Sequence, residues 1–191
     1  MRSLRPLLAA GLVMASGTAL AHPGHEAMSL ASGFSHPFGG ADHLLAMLAV
    51  GLYAARQGGT ARWALPATFV AAMLAAAGLA QAGMHFPMIE AGVAASVLVL
   101  GLLIAAAARL PLALTAPLVA VFAFCHGAAH VAEKGDAGLL AYAAGFALAS
   151  TALHGCGWLI GRWIPESAAG ARLQRVAGGA LAIAGGMLLG A

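Results

Sequence analysis

Apolar residues fill six long stretches of this chain, and short polar breaks separate them. The stretches cover residues 37–55, 63–82, 89–108, 112–132, 138–160 and 173–190. Each is close to the roughly 20 residues that an α-helix needs to cross a bilayer. Pro37 and Pro111 stand at or beside the starts of two stretches, where a proline costs no helical hydrogen bond. The pattern therefore predicts six transmembrane helices, two of which begin at a proline.

Composition assigns the chain to the same class. Of its 191 residues, 62% are hydrophobic and 8% are charged, whereas a soluble domain carries about 25% charged residues. We therefore expect an all-α membrane protein, with one six-helix transmembrane bundle whose outer surface contacts the lipid bilayer. The net charge of +3 is small and scattered, so it argues against a nucleic-acid partner.

The first residues have the pattern of a secretory signal. Arg2 and Arg5 form a basic start, residues 7–20 are apolar, and the small residues Ala19 and Ala21 make a cleavage site. We predict a cleaved signal peptide at residues 1–21, a periplasmic N-terminal segment at 22–36 and a transmembrane domain at 37–191. An uncleaved anchor helix is the alternative.

Basic residues between the stretches predict the orientation. If the mature chain begins outside, its inner segments contain Arg56, Arg62, Arg109, Arg162, Arg172 and Arg175. The outer segments contain only Lys134. Basic loops stay in the cytoplasm, so we expect a multi-pass protein of the bacterial inner membrane with both mature termini in the periplasm.

Metal-ligand chemistry is concentrated at the outer end of the first stretch. His36, Asp42 and His43 lie within eight residues of one another. An ionised carboxylate inside a bilayer costs roughly 2.5–3.5 kcal/mol even on a lenient scale, and two imidazoles beside it suggest a divalent-cation site. Gly39 and Gly40 permit an irregular helix start that could return His36 toward the other two residues.

A second group of donors falls at the outer end of the fourth stretch. His126 and His130 are four residues apart and therefore share one helix face, about 6 Å from each other. Glu133 follows three residues later and continues that face. The spacing predicts that His126, His130 and Glu133 join His36, Asp42 and His43 in one metal site.

Five further residues are weaker candidates: His22, His25, His85, Glu90 and His154. His22 and His25 either capture metal outside the membrane or belong to a polar tail. His85 and Glu90 fall on the outer side. His154 falls in the inner half of the fifth stretch, where it could be a structural hydrogen-bond partner or part of a path.

The first motif carries a family resemblance. Residues 36–51 fit the pattern HPxxGxDHxxxMxxxG, which resembles the HupE/UreJ family, and residues 126–133 resemble that family's second His/Glu motif. These hydrogenase and urease accessory membrane proteins are regarded as nickel, sometimes cobalt, permeases. The resemblance implies a nickel or cobalt ion as substrate and no resident cofactor. The broader nickel/cobalt signature is His-x4-Asp-His, whereas five residues separate His36 from Asp42 here.

Other functions remain open at this point. The sequence has no GxxxxGK[ST] phosphate loop, so uptake would be driven by the membrane potential rather than by ATP. A membrane-embedded metal-dependent hydrolase is the main alternative, with His126, His130 and either His43 or Asp42 holding a metal and an activated water. HExxH is absent. A bis-histidine haem protein is a third interpretation.

A stripe of small residues marks the last stretch. It consists of Gly178, Ala182, Gly186 and Gly190. Such stripes let helices approach closely, so this one predicts packing against a neighbouring helix and also offers a surface for a homo-oligomer.

Overall fold

The computed structural model describes residues 29–131 and 138–190, and all regular structure within them is helical. The helices are α1 (Leu30–Gly39), α2 (Ala41–Gln57), α3 (Ala61–Gln81), α4 (Ile89–Ala105), α5 (Leu112–Val131), α6 (Leu139–Trp163) and α7 (Ala168–Leu189). By length and composition, α3, α5 and α6 can each cross a membrane. The bent pair α1 and α2 adds a fourth candidate. The apolar helices of a membrane protein are therefore present, while the six-span arrangement and the signal peptide stay predictions.

The predicted start of the first span, at Pro37, is wrong. Pro37 lies inside α1, which begins at the cap residue Ser29 instead. The side chain of Ser29 accepts from the backbone N–H of Ser32, and the Ser32 side chain accepts from the backbone N–H of Ser29. This reciprocal pair satisfies two N–H groups at the helix start. The missing N–H of Pro37 then weakens the last turn, and the chain turns at Gly40 by 87° into α2.

The remaining helix boundaries follow the predictions more closely. Pro111 precedes α5, and its carbonyl accepts from the N–H of Thr115, as expected for a proline at a helix start. The last helix, α7, begins at Ala168 rather than at residue 173, because Ser167 caps it through a bond from the N–H of Gly170. This cap adds an amphipathic turn before the apolar stretch.

Glycines let the backbones of particular helix pairs touch. A Cβ added at any of these glycines would collide with the backbone of the opposing helix: Gly33 and Gly145 for α1 with α6, Gly51 and Gly157 for α2 with α6, Gly127 for α3 with α5, and Gly101, Gly178 and Gly185 for α4 with α7. Close backbone approach is how helices pack where no hydrophobic effect drives them together. The described helices therefore form tightly packed pairs.

The small-residue stripe contributes to one of these pairs. Gly178 and Ala182 pack against Gly101 of α4 within the same chain. Nothing lies within 4 Å of a Cβ placed at Gly186. The first half of the stripe thus packs internally as predicted, and a homo-oligomer through the second half stays a prediction.

The two ends of the bundle differ in chemistry. At one end, called here the arginine end, the rings of Trp63 and Trp158 stack with centroids 5.6 Å apart. Arg62 lies 5.5 Å from the Trp63 ring and Arg162 lies 5.2 Å from the Trp158 ring. The opposite end, called the histidine end, contains the first motif and the end of α5.

Candidate metal site

The break between α1 and α2 brings the first motif together. His36 lies in the last turn of α1, and Asp42 and His43 lie in the first turn of α2. Because the two helices meet at a sharp bend, the His36 ring returns to 5.7 Å from the His43 ring, centroid to centroid. The irregular start expected at the glycine pair is thus present, and Gly40 is the residue that supplies it.

Asp42 and His43 form a directly bonded pair. The Nδ1 atom of His43 lies 2.9 Å from Oδ1 of Asp42, and the same oxygen accepts the backbone N–H of His43 at 2.7 Å. A Cβ at Gly40 would lie 2.7 Å from that oxygen. Only glycine at position 40 leaves room for this carboxylate position. The carboxylate also lies at a helix N-terminus, where the backbone dipoles favour negative charge.

His126 of α5 meets this pair from the other side. Its ring centroid is 4.8 Å from that of His43, with the ring planes inclined by 72°. Its Nδ1 donates to the carbonyl of Phe122 at 2.8 Å. Its Nε2 is buried without a hydrogen-bond partner. Since a carbonyl only accepts, the proton is on Nδ1 and Nε2 carries a lone pair.

The bonding pattern of the two histidines is that of metal ligands. A histidine that binds a metal almost always directs its other ring nitrogen to a carboxylate or a backbone carbonyl, which fixes the tautomer and the ring orientation. His43 directs Nδ1 to a carboxylate and His126 directs Nδ1 to a carbonyl. In both rings the other nitrogen is Nε2.

A complete set of metal ligands is not assembled among the residues described. Within 29–131 and 138–190, no three His, Cys, Asp or Glu side chains are placed to hold a metal ion. His130 belongs to the end of α5, but its side chain lies outside the described part, as do Glu133, His22 and His25. The role of the six main candidates as metal ligands therefore stays a prediction.

Aromatic side chains of α6 form the wall of the site. The His36 ring lies 5.9 Å from both Tyr142 and Phe146, and the His43 ring lies 6.1 Å from Phe146. The same two aromatic residues, with Met73 and other apolar residues, line a cavity of about 20 Å³. The site is therefore walled by aromatic side chains and adjoins space for about one water molecule.

The weaker candidates separate into two groups. His85 and Glu90 are exposed at the histidine end, and none of the described ring or hydrogen-bond contacts joins them to His43 or His126. His154 is buried in α6, and its ring lies 4.9 Å from the ring of Phe69. Phe69 also lies 5.2 Å from the ring of His126.

Sequence reasoning missed Phe69 altogether. It is fully buried and stands between two histidines from different helices. In the sequence it is one apolar residue among many in a span, and no spacing or neighbouring donor distinguishes it. The side-by-side packing of α3 with α5 and α6 is what gives it this position.

The chain is similar to known proteins over nearly its whole length. The family model described as HupE / UreJ protein matches residues 10–188. A curated relative, Protein HupE from Rhizobium leguminosarum bv. viciae, is 40% identical over 170 residues, which cover 88% of this chain and 88% of that protein. No solved structure is significantly similar to this chain. The chain belongs to the HupE/UreJ family.

Proposed function

We propose that this protein is a secondary permease of the bacterial inner membrane that imports a divalent transition-metal ion. Nickel is the first candidate and cobalt the second, for delivery to hydrogenase or urease maturation. Imidazole and carboxylate ligands suit both ions, and geometry and supply rather than affinity choose between them. Family membership supports an accessory transport role over a membrane-embedded hydrolase.

One observation carries the proposal. The rings of His43 and His126 are in contact, each has its Nδ1 hydrogen-bonded, and Nε2 of His126 is buried without a partner. An unpartnered buried ring nitrogen costs about 1–3 kcal/mol. That cost is recovered only when a cation or water occupies the position.

Asp42 supplies the negative charge that a dehydrated cation needs. Among the acidic residues described, it is the one that is partly buried, while Glu90 and Glu166 are exposed. Its hydrogen bond to His43 also fixes the orientation of that imidazole. His130 and Glu133 would complete the ligand set from the end of α5. The segment with His22 and His25 would capture metal outside the membrane, before the metal reaches this ligand set.

The energy for uptake comes from the membrane potential. A divalent cation that enters a cell with about 100 mV across its membrane, inside negative, gains roughly 4.6 kcal/mol, twice the value for one charge. This is enough for accumulation without ATP. The arginine end would then face the cytoplasm, in agreement with the positive-inside rule.

The test is the variant Asp42→Asn in cells that lack other nickel uptake. Asparagine keeps the shape of the side chain and removes its charge, so we expect nickel accumulation to fall to background across a series of external concentrations. Accumulation is normalised to the amount of protein in the membrane. Normal uptake by a well-inserted Asp42→Asn protein would defeat the proposal.

The matched control is Glu166→Gln. It also neutralises one acidic residue, but Glu166 is exposed at the arginine end, beside Pro165 and Arg162. We expect uptake within about twofold of the parent, because this carboxylate is solvated and contacts no metal-ligand residue. Equal losses in the two variants would indicate a general charge effect rather than a metal site.

A further inference from the structure

His154 is the most unusual buried polar residue of the described bundle. Its side chain is 2% exposed, and neither Nδ1 nor Nε2 has a hydrogen-bond partner. The two hydroxyl groups nearest to it along α6 are satisfied, although Nε1 of Trp158 is not. Ser150 donates to the carbonyl of Phe146 at 2.8 Å, and Thr151 donates to the carbonyl of Ala147 at 2.7 Å. The helix therefore has a way to satisfy its polar side chains, and His154 does not use it.

The cost of this arrangement argues for a function. Each buried polar atom left unpaired lowers the stability of the fold, while an apolar side chain of similar shape has no such cost. A leucine at position 154 would fill the same space in an apolar core. An orphaned buried group in a native protein calls for an explanation, of which an absent ion or water is the simplest.

His154 lies near the candidate metal site, with one aromatic ring between them. The fully buried Phe69 ring stands between His126, at 5.2 Å, and His154, at 4.9 Å. His154 also lies against α2 at Gly51, whose added Cβ would collide with the His154 carbonyl. Gly51 is eight residues below His43, which is about 12 Å along a helix. His154 thus lies about two helical turns further toward the arginine end than His43.

We propose that His154 is a second binding station for the divalent cation, which receives it after it leaves His43 and His126 and passes Phe69. This inference rests on the proposed transport function. A path across a bilayer needs binding that is favourable enough to admit the ion and weak enough to release it. A single imidazole below a multidentate outer site has that property, because it offers fewer ligands and no carboxylate.

The experiment compares His154→Leu with the unaltered protein in liposomes loaded with a nickel-sensitive dye. We expect the maximal rate of nickel entry to fall by about tenfold or more, with KM for external nickel within about twofold, because the outer site is intact. The melting temperature is expected to stay equal or rise, since two orphaned atoms are removed. A purely structural histidine would leave the rate per inserted molecule unchanged.

Ser150→Ala is the matched control. It removes another buried polar group one turn away on the same face of α6, and we expect it to transport normally. If His154→Leu does not insert, His154→Gln takes its place, because glutamine keeps a polar side chain and is a poor metal ligand. A maximal rate within about twofold of the parent in an inserted His154 variant overturns the inference.

A second measurement reports binding without transport. Trp158 lies one turn from His154 on α6, and the chain has three tryptophans. In a protein with Trp63→Phe and Trp163→Phe, Ni²⁺ bound at His154 should quench Trp158 fluorescence, and His154→Leu should abolish the quenching. Quenching that persists in His154→Leu overturns the second station. If the unaltered protein admits no nickel into the liposomes, the transport function is overturned, which is a separate result.

Discussion

The two ends of the bundle use polar side chains in opposite ways. At the histidine end, His43 and His126 are buried, touch each other and have their Nδ1 atoms bonded. At the arginine end, Arg62 and Arg162 are exposed and rest on the faces of two stacked tryptophans. The two histidine rings are kept from water, and the two arginines present their charges to it.

The difference supports the proposed place of the metal site. Burying a polar group costs free energy unless something binds it, so the histidine end is costly without a ligand. Arginine and tryptophan at a membrane boundary are favourable without any ligand, because guanidinium groups reach water and indole rings suit the interface. We therefore expect substitutions at the histidine end to change uptake and those at the arginine end to change stability.

Gly40→Ala should have the largest effect among the substitutions that leave every donor in place. The added methyl group would lie 2.7 Å from Oδ1 of Asp42, so the carboxylate must move away from His43. We expect nickel uptake to fall by about tenfold, equivalent to about 1.4 kcal/mol. Gly39→Ala is the control, because nothing lies within 4 Å of a Cβ at that position. Equal uptake by the two variants would contradict the importance of the Asp42 position.

Ser29→Ala should have a smaller effect on the same end. It removes the cap of α1, which carries His36, at a cost of about 1 kcal/mol. We expect faster hydrogen exchange in α1 and a partial loss of uptake, both restored by Ser29→Asp, since aspartate is an equally good cap. Ser35→Ala serves as the control, because Ser35 is exposed on the same helix. Full uptake with a frayed α1 would remove His36 from the site.

The double variant Arg62→Gln, Arg162→Gln should change uptake least. Each guanidinium lies over a tryptophan ring, a contact worth about 0.5–1 kcal/mol at an exposed position. We expect a lower melting temperature and unchanged uptake per inserted molecule, because four further arginines on the same side maintain the orientation. A strong loss of uptake at normal protein levels would show that the arginine end also takes part in transport.

The helices of this fold were largely predictable, and their ends were not. Long apolar stretches indicate helices because a bilayer leaves few other structures, whereas helix ends depend on single hydrogen bonds. The Ser29 and Ser167 caps are short polar signals that an apolar pattern does not contain. Pro37 was misplaced because a proline near a helix end and one at a helix start look alike in sequence.

For the site, the sequence could predict only how far along its own helix each residue lies. Counting residues placed His43 and His126 at the same end, and the structure brings their rings into contact. Counting cannot show which helices are neighbours when they are far apart in sequence. His126, Phe69 and His154 come from α5, α3 and α6, so only the packing shows that His154 lies near the outer pair.

The glycine contacts divide the donors between two closely packed groups of helices, called here units. Gly33, Gly145, Gly51 and Gly157 join α1, α2 and α6 into one unit, which holds His43 and His154. Gly127 joins α3 to α5 in a second unit, which holds Phe69 and His126. Both key contacts, His43 with His126 and Phe69 with His154, cross from one unit to the other. A rotation of one unit against the other would therefore change both contacts together, and in the proposed transport it would link the capture of an ion to its release.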